Sequence, residues 1–194
     1  MIYQMIGLSL LGLGFSHKLI SINDLDNRGA KFIQTKFSSS PLLNIFMEIW
    51  FLGRTPFTLI ILLLLTGFNW RLGLSALVVF GIVAGLEMVI KKTFNRDRPF
   101  IEHDDLEMLQ PKEPLDPSFP SGDALRIWFL VLVLSIALGN NLLFGVLSAL
   151  LAGLVSLGRI VFGVHYLSDV LAGIGLGFLG AGTTIWVWQA FNLL

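Results

Sequence analysis

His165 stands four residues before Asp169 and six after Arg159. At helical spacing the ring and the carboxylate share one face. The carboxylate can then hold the proton of one ring nitrogen and leave the other nitrogen's lone pair free to attack. A His–Asp cap at a helix end is the plainer reading of the same pair. Lys91 and Arg98 lie about two helical turns apart, and Pro99 marks the helix exit. Cations near a membrane core are costly and usually functional, although cations also anchor span ends. Pro120-Ser121-Gly122 opens an apolar run. Amides at a helix start favour an anion, glycine permits close approach, and Ser121 adds a hydroxyl.

Taken together these residues suit phosphate chemistry. Arg98 and Arg159 offer forked donors and Lys91 a point charge. With Ser121 and Gly122 they would clamp the oxygens of a phosphoryl transition state while His165 attacks phosphorus.

The elements that must position them are membrane helices. Of 194 residues 55% are hydrophobic and 13% charged, against about 25% charged in soluble domains. The apolar residues form blocks near the roughly 20 residues that cross a bilayer. Lipid leaves helices as the way to satisfy such a backbone. The expectation is a single all-α domain over 1–194, a polytopic bundle of about six spans. Spans fall at Ile2–Ile20, Leu43–Phe68, Leu72–Phe94, Ser121–Leu138, Leu142–Phe162 and Tyr166–Trp188. The second is disturbed near Gly53-Arg54-Thr55-Pro56. Ser21–Ser40 is charged and amphipathic, an interfacial helix that completes an N-terminal part, 1–40. Asn95–Ser118, with four prolines, reads as a surface loop on the active-site side of the core, 41–194. Its acidic residues, Glu102 to Asp116, read as solvated. The first block lacks the pattern of a cleaved signal and should stay in the mature protein.

Counting crossings puts Lys91, Ser121, Arg159, His165 and Asp169 on one face. Trp70, Trp186 and Trp188 are expected in an aromatic belt on the opposite side, with Trp50 and Trp128 toward the site. Glu87, one turn before Lys91, is a candidate partner for it. Zero net charge gives no sign of a nucleic-acid partner, and the absence of cysteine excludes disulfides, thiol nucleophiles and cysteine metal sites. Gly175-x-Gly177-x-x-Gly180 matches a dinucleotide fingerprint formally. It lies inside an apolar span with no preceding strand, so the glycines there are read as helix-packing positions.

From Lys91 to Gly173 the chain resembles the type 2 phosphatidic acid phosphatase superfamily, which also includes glucose-6-phosphatase, bacterial acid phosphatases and vanadium haloperoxidases. The shared signatures are K-x6-R-P, P-S-G-H and S-R-x5-H-x3-D. The resemblance implies a metal-independent lipid phosphatase without cofactor. It also implies a phosphohistidine on His165 oriented by Asp169, and phosphate binding by Lys91, Arg98, Ser121, Gly122 and Arg159. Two positions depart from the pattern: Gly158 replaces a serine, and Asp123 stands where the family has its acid histidine.

Lys91, Arg98, Arg159 and Arg126 around Asp123 should lower its pKa and make it a poor acid, while burial would oppose this. Either Asp123 remains the acid, or His103 in the acidic loop replaces it, or a good leaving group needs little acid help. The third reading is preferred and favours a lipid pyrophosphate or a sugar-anomeric phosphate. Candidate substrates are undecaprenyl pyrophosphate, the 1-phosphate of lipid A, phosphatidylglycerophosphate and phosphatidate. The rival is a non-catalytic lipid-binding or lipid-moving relative that has lost its acid. Lys18, Arg28, Lys31, Lys36, Lys92, Arg96 and Lys112 on the site's side, against Arg71 opposite, would place the site in the cytoplasm. The resemblance implies the periplasmic face of a bacterial inner membrane, and that placement is followed.

Overall fold

Asn69 separates two apolar runs, and its side chain accepts from the amides of Arg71 and Leu72 at 3.2 and 3.3 Å. One asparagine thus ends a helix and caps the next. The computed structural model describes residues 1–16 and 20–193, with side chains in the second helix from Asn23 onward. Its helices are α1 (Ile2–Phe15), α2 (Ile20–Ser38), α3 (Leu42–Ile49), α4 (Thr55–Phe68), α5 (Trp70–Phe94), α6 (Pro99–Glu102), α7 (Gly122–Ala137), α8 (Leu142–Val161) and α9 (Leu167–Ala190). Among the described residues there is no strand. The described residues are all-α, as the apolar blocks led us to expect.

Three helices are long and apolar enough to cross a membrane: the run Trp70–Glu102, α8 and α9. A fourth crossing exists if α3 and α4, bent by 57° at Arg54, are one span. The bend has a local cause. A 3-10 turn, Trp50–Gly53, ends α3, and Arg54 is extended (φ −81°, ψ 148°) before Pro56 enters the first turn of α4. At 14 and 16 residues α1 and α7 are shorter than the usual crossing length. Lys18 and the end of the first expected block lie outside the described residues.

The outward faces are apolar. On α8, Leu143, Val146, Leu147, Leu150 and Leu154 are exposed at helical spacing. Together with the three long apolar helices, such a surface identifies an integral membrane protein.

α9 runs through the middle, against α1, α5 and α7. Two rows of glycine let it do so. A Cβ on Gly173 would overlap the backbone oxygen of Ser121, and one on Gly175 would come within 2.6 Å of the Leu11 nitrogen. The expected packing role of these glycines holds. The larger core cluster joins Leu62, Phe80, Phe129, Leu130 and Leu176 from α4, α5, α7 and α9.

Two expectations change. Trp188 is fully buried and its indole N–H donates to Ser75 Oγ at 2.7 Å, so it is a core residue and not part of a belt. The segment Asn95–Ser118 is not simply a solvated loop. Gln34 of α2 donates to Glu107 O at 2.7 Å and accepts from Glu107 N at 3.0 Å. Leu106 and Gln110 are buried. Its two ends meet where Ser118 N donates to Arg96 O at 2.8 Å.

Candidate active site

The C-terminal end of α5, the N-terminal ends of α7 and α9 and the segment between α5 and α7 converge on one polar cavity of about 210 Å³. Lys91, Arg98, Gly122, Asp123, Arg126 and His165 line it, with Arg54, Glu87, Gln110 and Asp116.

His165 sits in the turn between α8 and α9, buried at 4% exposure. Arg98 Nη1 is 3.3 Å from its Nε2. A guanidinium only donates, so Nε2 is the lone-pair nitrogen and Nδ1 carries the proton. Burial, reinforced by the Arg98 charge, pushes the ring's pKa down to about 4. Near neutrality the imidazole is therefore uncharged, with its lone-pair nitrogen turned to the Arg98 guanidinium.

The partner of Nδ1 differs from expectation. Asp169 Oδ2 is 3.7 Å away, beyond hydrogen-bond reach. Ser118 stands between, its Oγ 3.4 Å from Nδ1 and donating to Asp169 Oδ2 at 2.5 Å. That oxygen also accepts the Tyr166 amide at 2.9 Å, which holds it at the start of α9. Asp169 Oδ1 accepts from Arg96 Nη1 at 2.7 Å. Arg96 also reaches Asp26 of α2 at 3.0 Å and lies 4.0 Å over the Tyr166 ring. The Tyr166 hydroxyl donates to Glu102 at 2.6 Å.

The phosphate-binding candidates divide. Lys91 and Arg98 face the cavity, and both hold Asp116, at 3.0 and 2.9 Å. Burial would raise the Asp116 pKa, but the Lys91 and Arg98 charges outweigh it and hold it at about 2. Glu87 does not pair with Lys91; it takes Arg126 at 2.9 Å, because that pair fits over Gly122, where a Cβ would collide with both side chains. Ser121 is buried and its Oγ accepts the Ala124 amide at 3.4 Å as the α7 cap. Arg159 is fully buried behind Asp123, which it binds at 2.9 Å, and it also donates to Gln110 Oε1 and Trp50 O. Neither Ser121 nor Arg159 lines the cavity.

Asp123 is ringed by guanidinium groups, with Arg126 at 3.8 Å and Arg54 at 4.0 Å besides Arg159. His103 does not line the cavity; its ring packs edge-on to Tyr166 at 6.3 Å.

Sequence reasoning gave no site role to Arg54, Arg96, Asp26 or Asp116, and Ser118 entered it only as part of the polar run that ends at Asp123. Arg96 and Asp116 carried a signal in their closeness to Arg98 and Ser118. Asp26 carried none, since it lies 142 positions from Ser168, whose amide it accepts at 3.0 Å.

The model of the PAP2 superfamily matches residues 72–193. A phosphatidylglycerophosphatase B of Bacillus subtilis (strain 168) is 32% identical over 115 residues, 55% of this chain and 53% of that protein. The chain thus spans about half the length of that curated relative. An Escherichia coli (strain K12) protein with the provisional name undecaprenyl-diphosphatase is 28% identical over 131 residues, 63% of this chain and 64% of its own. The fold is that of a crystallised transmembrane PAP2-type phosphatidylglycerolphosphate phosphatase from Bacillus subtilis, with TM-score 0.83, 23% identity and 98% of each chain covered.

Proposed function

The chain belongs to the PAP2 superfamily, and we propose that it is an integral-membrane lipid phosphatase with His165 as its nucleophile. The observation that carries this is the Arg98 Nη1 contact to His165 Nε2 at 3.3 Å. A phosphoryl group bound by Arg98 would lie against that lone pair. Lys91, Arg98 and the Gly122 amide hold the phosphate once Asp116 gives way. Nε2 attacks phosphorus, the lipid leaves with the bridging oxygen, and water then breaks the N–P bond. Ser118 and Asp169 keep the Nδ1 proton in place throughout. Arg159 and Ser121 stand behind this layer, the one fixing Asp123 and the other the start of α7.

Asp123 stands where a proton donor would be expected and is engaged instead as an acceptor from Arg159 at 2.9 Å. This favours a substrate whose leaving group departs without a proton: undecaprenyl pyrophosphate or lipid A 1-phosphate ahead of phosphatidylglycerophosphate or phosphatidate. The provisional name of the Escherichia coli relative points the same way.

The proposed arrangement has six crossings, with α1 and α7 as short spans, the bent α3–α4 pair as one, and α2 at the interface. The site then faces the periplasm of a bacterial inner membrane.

The test is phosphate release by the purified protein from these four lipids in EDTA, with His165→Ala as control. Release that His165→Ala abolishes supports the reading. No release from any lipid would favour a binding protein, and release blocked by the chelator would overturn the metal-free mechanism.

A further inference from the structure

Four cations line the cavity, and three of them have a carboxylate at 3.0 Å or closer: Lys91 and Arg98 share Asp116, and Arg126 holds Glu87. Arg54 is the exception. Its nearest carboxylate oxygen, on Asp123, is 4.0 Å away. The chain break between α3 and α4 places it there, extended, with its guanidinium 5.1 Å from the Trp50 ring centre. Its side chain is 31% exposed. The same Oδ2 oxygen lies closer to Arg159, at 2.9 Å, than to Arg54. The cavity therefore keeps unspent positive charge beside the position where a proton donor would be expected. Its 210 Å³ equals roughly seven waters at their liquid volume, more than the four oxygens of one phosphate displace.

We propose that Arg54, with Arg126 beside it, binds the phosphate that stays on the lipid when a lipid pyrophosphate is cleaved. This rests on the phosphatase reading above and names its substrate class. As His165 Nε2 bonds to the terminal phosphorus, the bridging P–O bond breaks and its electron pair stays on the bridging oxygen. That oxygen leaves as part of a lipid monophosphate, whose second pKa is about 6, so it needs no proton near neutrality. Guanidinium charge stabilises it instead. Water then adds to phosphorus, the N–P bond breaks with its electrons returning to Nε2, and both water protons depart with inorganic phosphate. Arg54 is thus a specificity-determining residue for the diphosphate.

The test compares Arg54→Gln and Arg54→Lys with the unmodified protein on a prenyl diphosphate and the matching prenyl monophosphate. Arg54→Gln lowers kcat/KM for the diphosphate by about 10- to 100-fold, as loss of a charged hydrogen bond does. It lowers that for the monophosphate by no more than about threefold, and Arg54→Lys recovers most of the loss. An equal fall on both substrates overturns the proposal. Calorimetric titration with inorganic pyrophosphate and inorganic phosphate separates this from the parent reading. If the unmodified protein releases no phosphate, the phosphatase reading fails, and binding then decides the subsite. Pyrophosphate binding that is tighter than phosphate binding, by a margin Arg54→Gln removes, supports it. No margin, or one the substitution leaves intact, overturns it.

Discussion

Asp116 Oδ1 accepts from Arg98 Nη2 at 2.9 Å while its Oδ2 lies 3.0 Å from Lys91. One carboxylate spans the two cations expected to grip phosphate, and its side chain is 56% exposed although Arg98 Nε also holds its backbone oxygen at 2.9 Å. Asp116 is in effect a tethered anion in the substrate's place. Asp116→Asn removes the competing charge, so inorganic phosphate should inhibit about tenfold more tightly, close to 1.4 kcal/mol. Inhibition constants from steady-state assays check this, and weaker inhibition in the variant would show that Asp116 organises the site and does not compete for it.

His165 sets the acid limit of activity. Burial and the Arg98 charge push its pKa down to about 4, and in the proposed mechanism the neutral ring is the nucleophile. Activity is therefore complete well above pH 4 and is lost as pH falls through that value. The logarithm of kcat/KM against pH, between 3.5 and 8, should bend near 4. A bend at 6.5 would mean a solvated ring with no contact to Arg98.

Arg96 is the sole guanidinium between two buried carboxylates, Asp26 at 3.0 Å and Asp169 at 2.7 Å. Arg96→Ala leaves both without it and should cost about 3–5 kcal/mol, seen as a lower Tm in detergent. Arg96→Lys keeps the charge but not the fork and should fall between. An unchanged Tm in Arg96→Ala would show that Ser168 and Ser118 suffice.

His103 packs against Tyr166 outside the cavity. His103→Ala should keep kcat within about threefold of the unmodified enzyme, the scale of a surface change. A loss of a hundredfold or more, on the scale of a missing proton donor, would make it the acid after all.

What the sequence disclosed follows from how local each signal is. Apolar blocks and their polar ends located α5, α7, α8 and α9 to within two residues, because lipid imposes that pattern directly. Lys91, Arg98, His165 and Asp169 were legible for the same reason: each lies at a helix end, and spacing along one chain fixes its side. The contacts that shape the site are not local. Arg96 to Asp26 spans 70 positions and Ser118 to Asp169 spans 51, and no periodicity encodes such pairs. Arg159 is a different case. Its position beside the site was legible, but its pairing with Asp123, which draws it behind the cavity wall, depends on how α7 meets α8.

The two glycine rows on α9 carry a consequence for how the sequence can drift. Any side chain on Gly173 or Gly175 meets backbone atoms of a neighbouring helix, which cannot rotate away as a rotamer can. Leu143, Val146 and Leu150 of α8 face outward with no such neighbour. A deep substitution scan should therefore find α9 nearly frozen along two stripes and the α8 exterior freely interchangeable among apolar types.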